Sequence, residues 1–169
     1  MKKKQINAMI SLSKKAEKEQ RYYKQQDGTY SYIKPMLAGA YYDKDKNKTY
    51  ICNGIWGVII NGFVENLEMV KNVGTYPNLE SIIGKIYKYV PTDMDYNELK
   101  QKAKEYKKDK NECLIKIGNQ YFNPKIVSSV IDCFDIYRVS VKENYPMMII
   151  ESENITAVIM GVKPKKDVI

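Results

Sequence analysis

The chain is 169 residues long, 44% hydrophobic and 28% charged, a balance that suits one soluble domain or at most two small ones with enough apolar residues for a core. The lysines and arginines number 28 against 20 acids, for a net charge of +8, and with His at 0 the commonest general base, the Ser–His and Cys–His nucleophile pairs and the commonest zinc ligand are all excluded. No apolar run reaches the roughly 20 residues of a membrane span, and the basic start Met1–Lys4 leads into an amphipathic stretch rather than a signal peptide, so a cytoplasmic protein is expected.

In chain order, Lys4–Arg21 reads as a helix, with Ile6, Met9, Ile10 and Ala16 near one stripe and Lys14, Lys15, Lys18 and Arg21 largely off it. Gln25–Thr29 is a turn. After Pro35 three strands are predicted, Met36–Tyr42, Thr49–Asn53 and Gly57–Asn61, the first two joined by the polar hairpin Asp43–Lys48. Between Phe63 and Pro91, the segment Thr75–Ile83 reads as a connector with a short apolar anchor. Asp95 or Asn97 can cap a second helix running to Lys108, with Leu99, Ala103 and Tyr106 on its inner side and lysines around the rest. Asp109–Asn111 ends it.

The second half is more regular. Glu112–Ile117 is a strand, and Asn123 caps a helix that carries Pro124 at its first position, where a missing N–H is no loss. Ile126, Val127, Val130, Ile131 and Phe134 form the apolar face of that helix. Tyr137, Val139 and Val141 alternate with Arg138, Ser140 and Lys142, the pattern of a half-buried strand. Met147–Ile150 and Thr156–Val162 are almost continuously apolar, which suits the middle of a sheet. Both halves follow a helix with three strands. The expected fold class is therefore α+β, with two βαβββ-type half-motifs whose helices pack on one face of antiparallel sheets. One domain results, with a first half-motif over 1–62, a connector with an extra basic helix over 63–111, a second half-motif over 112–163 and a tail over 164–169. Each helix is expected to cross the three strands of its own unit and to keep its opposite face free.

Cys52, Cys113 and Cys133 are odd in number, widely spaced and set among apolar residues, so buried thiols are expected rather than a disulfide framework or a metal site. Asp43-Lys44-Asp45-Lys46-Asn47 imitates the start of a calcium loop. Lys48 stands where that loop needs glycine and Gly54 where it ends in glutamate, which leaves a hairpin turn. No phosphate-binding glycine loop and no paired acids stand out. No catalytic residue, cofactor or metal is expected, and no enzymatic activity.

Four segments carry more information in their order than singly. They are Ile51-Cys52-Asn53-Gly54-Ile55-Trp56-Gly57, Tyr76-Pro77-Asn78-Leu79-Glu80-Ser81-Ile82-Ile83, Phe122-Asn123-Pro124-Lys125-Ile126-Val127 and Met160-Gly161-Val162-Lys163. In that order they resemble segments of bacterial DNA sliding clamps, the DNA polymerase III beta subunit family. The family has Ala-Thr-Asp-Gly-His-Arg-Leu after a hairpin, a Phe-Pro-Asp-x-x-x-x-Ile connector, a Phe-Asn-Pro-x-Tyr-Leu helix start and a terminal Met-Pro-Val-Arg. The chain departs from it at Asn53, Ile55, Trp56 and Gly161, where the family has aspartate, histidine, arginine and proline.

Such clamps encircle DNA and tether polymerases without doing chemistry. A clamp subunit carries three domains, and the resemblance implies a single clamp-like domain here. It also implies a non-enzymatic processivity or replication-associated protein of a phage or mobile element, with duplex DNA and a DNA polymerase or other replication protein as partners. On that resemblance a hydrophobic partner-peptide pocket falls to Cys52, Gly54, Ile55, Trp56, Met160, Gly161, Val162 and Lys163. The two parts of the pocket are expected at opposite edges of the domain, to be joined by head-to-tail association of a homo-oligomer.

Lysine suits contact with the phosphate backbone without base reading. The DNA-facing surface, weak and without sequence specificity, is accordingly placed at Lys4, Lys14, Lys15, Lys18, Arg21 and Lys125, with Asp132 and Asp135 opposing Lys125. The alternative for each lysine is a solvated helix face, and codon preference in a low-GC genome accounts equally well for the charge. The basic second helix is an extra DNA or partner contact, or a solubilising face in which Glu98 pairs with Lys102. Trp56 is either core or a peptide-groove anchor. Tyr22, Tyr23, Tyr30 and Tyr32 pack on the surface or stack on single-stranded bases. Two other functions fit the composition: a clamp-fold adaptor or regulator that binds a replication protein but not DNA, and an unrelated small basic nucleic-acid-binding protein.

Overall fold

The computed structural model describes residues 1–71, 75–84, 89–109 and 113–164. Its elements are α1 (Lys3–Gln20), β1 (Arg21–Lys24), β2 (Tyr30–Tyr32), a 3-10 turn (Pro35–Leu37), β3 (Ala40–Asp43), β4 (Lys48–Cys52), β5 (Trp56–Asn61) and α2 (Leu79–Ile83), followed by β6 (Tyr89–Pro91), α3 (Tyr96–Tyr106), β7 (Ile115–Ile117), β8 (Gln120–Phe122), α4 (Pro124–Ile131), β9 (Arg138–Lys142), β10 (Met147–Glu151) and β11 (Ile155–Met160). Among the described residues, seven strands form one antiparallel sheet in the order β3-β4-β5-β11-β10-β9-β6, and β1-β2 and β7-β8 are separate hairpins.

Local chemistry sets the element ends. The Gln5 side chain accepts a hydrogen bond from the Lys2 backbone N–H at 2.8 Å, which closes the start of α1. Asn123 Oδ1 accepts from the Lys125 N–H at 2.9 Å, with Pro124 at the first helical position of α4. The β3–β4 turn is made by Asp43, whose carboxylate accepts from the N–H groups of Asp45 at 3.0 Å and Lys46 at 3.2 Å, while Asn47 adopts φ 50°. The aspartates of the calcium-like segment are thus turn residues. The turn expected at Gln25–Thr29 is present, closed by the Gln25 N–H donating to the Thr29 carbonyl at 2.8 Å, and it is the tip of a hairpin, β1-β2, whose first strand is exposed along its length.

Alternation along the strands divides the sheet into two apolar faces. On one, Trp56, Val58 and Ile60 of β5 and Ile155, Ala157 and Ile159 of β11 join Met9, Leu12 and Ala16 of α1 and Val127, Val130 and Ile131 of α4 in the main core. On the other, Ile59, Val158, Ile149 and Tyr50 meet Leu37, Leu79 and Ile83 in a second, smaller core. The connector helix α2 is tied down at its outer end, where Glu80 receives Lys46 Nζ at 3.2 Å and also pairs with Lys48.

Three expectations are corrected. The strands of the two halves do not form separate sheets: β5 pairs with β11 at five positions, from Trp56↔Ile159 to Ile60↔Ile155. Both strands are apolar on both sides, so only a place inside one sheet buries them completely. The outward side of α4 is not left free, because α3 packs along it and buries Leu99 and Ala103 in the main core. The basic helix is therefore a core element, with Lys102 held by Glu98 at 2.7 Å on its outer side. Of the cysteines, Cys52 and Cys133 are buried, with burial pushing the Cys133 thiol up to about 12, but Cys113 is half-exposed and donates to Asp109 at 3.1 Å. Glu112, the expected start of a strand, and the tail from Lys165 lie outside the described residues.

The packing of α3 has a measurable consequence. Leu99→Ala, at a fully buried position, should cost about 2–5 kcal/mol in urea unfolding. Lys104→Gln, on the exposed side of the same helix, should stay within about 0.5 kcal/mol. Equal small effects at both positions would show that α3 is not part of the core.

Candidate functional site

Side by side, β5 and β11 bring the ends of two distant segments together. Met160 N–H donates to the Ile55 carbonyl at 2.9 Å, extending the ladder beyond Ile159↔Trp56. Beside this junction, on the side of the sheet away from α1 and α4, lies an open cavity of about 390 Å³. Cys52, Gly54, Ile55 and Trp56 line it from one segment, Val158 and Met160 from the other, Leu37 from the 3-10 turn, and Pro77, Leu79 and Ile82 from the connector and α2. Ile55 and Ile82 are exposed at its rim, 49% and 43%, so it presents apolar surface to solvent. The floor depends on a missing side chain. A Cβ at Gly57 would come within 2.9 Å of both Leu79 methyl groups, so the glycine is what allows α2 to seat its leucine against the sheet.

The turn before Trp56 is shaped by Asn53. Its Oδ1 accepts from the N–H groups of Ile55 at 2.9 Å and Trp56 at 3.0 Å, and its Nδ2 donates to Glu19 of α1 at 2.6 Å. A carboxylate at this position could not donate to Glu19 and would repel it, which gives a physical reason for asparagine where the resembling family has aspartate. Trp56 is 2% exposed and belongs to the main core, the first of its two readings, and it also borders the cavity.

The eight residues expected to form one pocket are divided by the structure. Cys52, Gly54, Ile55, Trp56 and Met160 converge on the cavity. Gly161, Val162 and Lys163 do not line it. Gly161 N–H donates to the Pro146 carbonyl at 2.6 Å and Val162 N–H to the Tyr121 carbonyl at 2.8 Å, so the chain leaves the sheet after Met160 and is stitched between β8 and the β9–β10 turn. Val162 and Lys163 face another groove, with Tyr121, Lys142 and Tyr145. The expectation that the Gly54–Trp56 and Met160–Lys163 segments sit at opposite edges is likewise corrected, since Ile55 and Met160 are hydrogen-bonded neighbours in mid-sheet. Lining residues that sequence reasoning missed include Lys34, Leu37, Leu79, Ile82 and Val158. The connector's apolar anchor was a signal for Leu79 and Ile82. Leu37 carried none, because it read as part of a strand.

On the helical side, Lys4, Lys14, Lys18 and Lys125 are exposed. Helical spacing puts Lys4, Lys15 and Lys18 on one stripe with Lys14 at its side. Lys4 and Lys15 line a groove of about 330 Å³ with Ser129 of α4 and the C-cap residues Lys107 of α3 and Asp132 of α4. Lys15 Nζ donates to Ser129 Oγ at 3.2 Å and stands 4.0 Å from Glu19. Asp135, expected to oppose Lys125, pairs with Lys2 instead, and that pairing holds its carboxyl below the usual range.

Arg21 is engaged within the chain. Its guanidinium reaches Glu17 through Nε at 2.9 and 3.0 Å and through Nη2 at 2.8 Å, and lies 4.1 Å from the centre of the Tyr30 ring. Tyr32 Oη donates to the same carboxylate at 2.8 Å. Burial alone would raise the Glu17 carboxyl, but the hydrogen bonds of Arg21 and Tyr32 and the charge of Arg21 outweigh it and hold the group below its ordinary 4.5. This cluster fastens the β1-β2 hairpin to the end of α1.

No family model matches the sequence, and a search of curated proteins finds no match. Among solved structures, the backbone is similar to that of DNA polymerase III subunit beta from Borrelia burgdorferi, solved in complex with a natural product, with a TM-score of 0.59 at 14% identity. The match covers 96% of this chain and 63% of that one. At this identity the likeness is one of fold. The mixed α/β architecture with its antiparallel sheet is clamp-like.

Two variants test the local geometry. Gly161→Pro, which introduces the residue of the resembling family, removes the N–H bonded to Pro146 and places a ring where a Cβ already comes within 2.7 Å of the Pro146 Cβ. It should cost about 3 kcal/mol in chemical denaturation. Glu17→Gln should cost about 1.5–3 kcal/mol near neutral pH. Because the folded pKa of Glu17 is lowered, its contribution is complete above the usual value of 4.5 and is lost as pH falls through the folded value. The gap between the wild type and Glu17→Gln should therefore close in acid, and a gap independent of pH would contradict the assignment.

Proposed function

We propose that the chain is a non-enzymatic, clamp-like replication-associated protein that captures a short apolar peptide segment of a partner in the cavity between β5, β11 and α2. The observation that carries this reading is the convergence of Cys52, Gly54, Ile55 and Trp56 with Met160 on one apolar cavity. The resemblance assigned these residues to a peptide-binding pocket from two separate stretches of sequence. The likeness to DNA polymerase III subunit beta supports the same class of function. An apolar cavity with exposed isoleucines at its rim suits an anchor side chain of a peptide, since burying such an anchor supplies most of the binding energy in small recognition sites.

The same reading assigns weak binding of duplex DNA to Lys4, Lys14, Lys15, Lys18, Arg21 and Lys125. Exposed lysines on helix surfaces attract phosphates through counterion release and leave the protein free to slide. The adaptor reading, binding a replication protein without touching DNA, has its own support, because Arg21 is committed to Glu17 and Lys15 to Ser129. Gly161, Val162 and Lys163 lie outside the cavity and are proposed as its flank, contacting the portion of a partner that extends past Met160. Association of further copies of the chain is not needed to complete the cavity, whose lining comes from one chain.

Two sets of substitutions separate the readings. Ile55→Asp with Ile82→Asp should abolish partner-peptide binding and leave DNA binding unchanged. Lys14→Glu with Lys18→Glu should weaken duplex binding at low salt and flatten its dependence on log salt by about 1 for each phosphate that is no longer neutralised. Duplex affinity that does not vary between low and physiological salt would remove the DNA half of the proposal and leave the adaptor. Full partner binding by the double aspartate variant would remove the pocket.

A further inference from the structure

We propose that Lys34 determines the specificity of the cavity by selecting partner segments that carry a carboxylate next to their apolar anchor. This inference rests on the peptide-binding reading of the cavity and adds the charge of its occupant. Among the described lining residues Lys34 is the only charged one, in a wall otherwise made of apolar side chains, glycines and Thr75. It is exposed and forms no ion pair among the described residues. Three acids on the elements around it are engaged elsewhere. Glu17 is held by Arg21 and Tyr32, Glu19 by Asn53 and Lys15, and Glu80 of α2 by Lys46 and Lys48.

The backbone that carries Lys34 is fixed on both sides. Ile33 N–H donates to the Gln20 carbonyl at 2.8 Å, and the Lys34 carbonyl accepts from Leu37 N–H at 2.9 Å at the start of the 3-10 turn. Burial raises the pKa of the Cys52 thiol, and the Gly54 N–H and the Lys34 charge act against that rise, which sets the ammonium group on the Cys52 side of the cavity mouth. A cation held beside low-dielectric walls interacts more strongly with an incoming anion than it would in open water. A neutral peptide gains nothing from it, and a basic one is repelled. The arrangement therefore discriminates by charge as well as by apolar fit. The carboxylate is that of an aspartate or glutamate side chain or that of a chain terminus, and both present the same chemistry to the ammonium group.

Trp56, the single tryptophan of the chain, lines the cavity and provides a fluorescence signal. The probes are short synthetic peptides with a Leu-Phe core, preceded by Asp, Asn or Lys, each made with a free and an amidated C-terminus. The Asp peptide should bind about five-fold more tightly than its Asn isostere at low salt, with the difference lost at high salt. Lys34→Gln should remove the difference, and Lys34→Glu should reverse the order in favour of the Lys peptide. If the free-acid and amide forms differ more than the Asp and Asn forms do, the carboxylate recognised is the terminal one. Equal binding of the Asp, Asn and Lys peptides and of the acid and amide forms overturns the role of Lys34 while leaving the pocket in place. So does a preference that survives in Lys34→Gln. If no peptide of any charge binds, read by the Trp56 signal and by titration calorimetry, the pocket reading fails and the specificity proposal fails with it.

Discussion

The pairing of β5 with β11 is the constraint on which the rest of the molecule depends. Trp56 to Ile60 in β5 and Ile155 to Ile159 in β11 are buried along almost their whole length, and neither strand has a polar face that could be left toward solvent. Placed at an edge, either would expose a row of apolar side chains together with unpaired backbone groups. Placed next to each other, they satisfy their hydrogen bonds and divide their side chains between two cores. One core is closed by α1, α3 and α4 and the other by α2 and the 3-10 turn. The outer strands are short, β6 ends in Pro91, and the free side of β3 is partly covered where Ala40 exchanges hydrogen bonds with Glu68 and Val70. Both edges are thus blunted and the centre is continuous.

The cavity is a by-product of that junction. Two strands that end at nearly the same level, a connector that crosses them and a glycine at the crossing leave a space that none of them fills. It stays open because α2 is held from outside by Lys46 and Lys48 on Glu80 and from below by Leu79 on Gly57. Asn53, meanwhile, links the rim to α1 through Glu19. The apolar walls come from packing and the position of the rim from hydrogen bonds and ion pairs. Charge is unevenly distributed around this frame. The ion pairs near the cavity fasten elements to each other, whereas Lys14, Lys18, Lys125 and Lys34 are exposed and form no ion pair among the described residues.

Much of the element content was legible in the residues. Asn123-Pro124 announces a helix start because both residues suit that position for backbone reasons that need no tertiary contact. The Asp43–Lys48 turn is equally local, being made by hydrogen bonds from an aspartate to its own neighbours. The candidate site was legible in part. Cys52, Gly54, Ile55, Trp56 and Met160 share a cavity, but Gly161 to Lys163 leave it, because hydrogen bonds to Pro146 and Tyr121 turn the chain away. Those bonds join segments well separated in sequence, and nothing in Met160-Gly161-Val162-Lys163 itself records them. The commitment of Arg21 was similarly hidden, since a basic residue at the end of a lysine-rich helix reads as free until Glu17, Tyr30 and Tyr32 are seen around it.

By itself the sequence determined what depends on near neighbours: the helix and strand positions set by periodicity and capping, the hairpin turns, the absence of histidine chemistry and the excess of positive charge. Only the tertiary structure decided which strands meet, that α3 belongs to the core, that Cys52, Gly54, Ile55, Trp56 and Met160 border one cavity within a single chain, and which cations are already paired. The physical reason lies in the range of the interactions. Capping and alternation act over a few residues, and their outcome can be read in a short window. Strand partnership between β5 and β11 is chosen by the total apolar surface it buries, a quantity shared by the whole fold and written in no single segment.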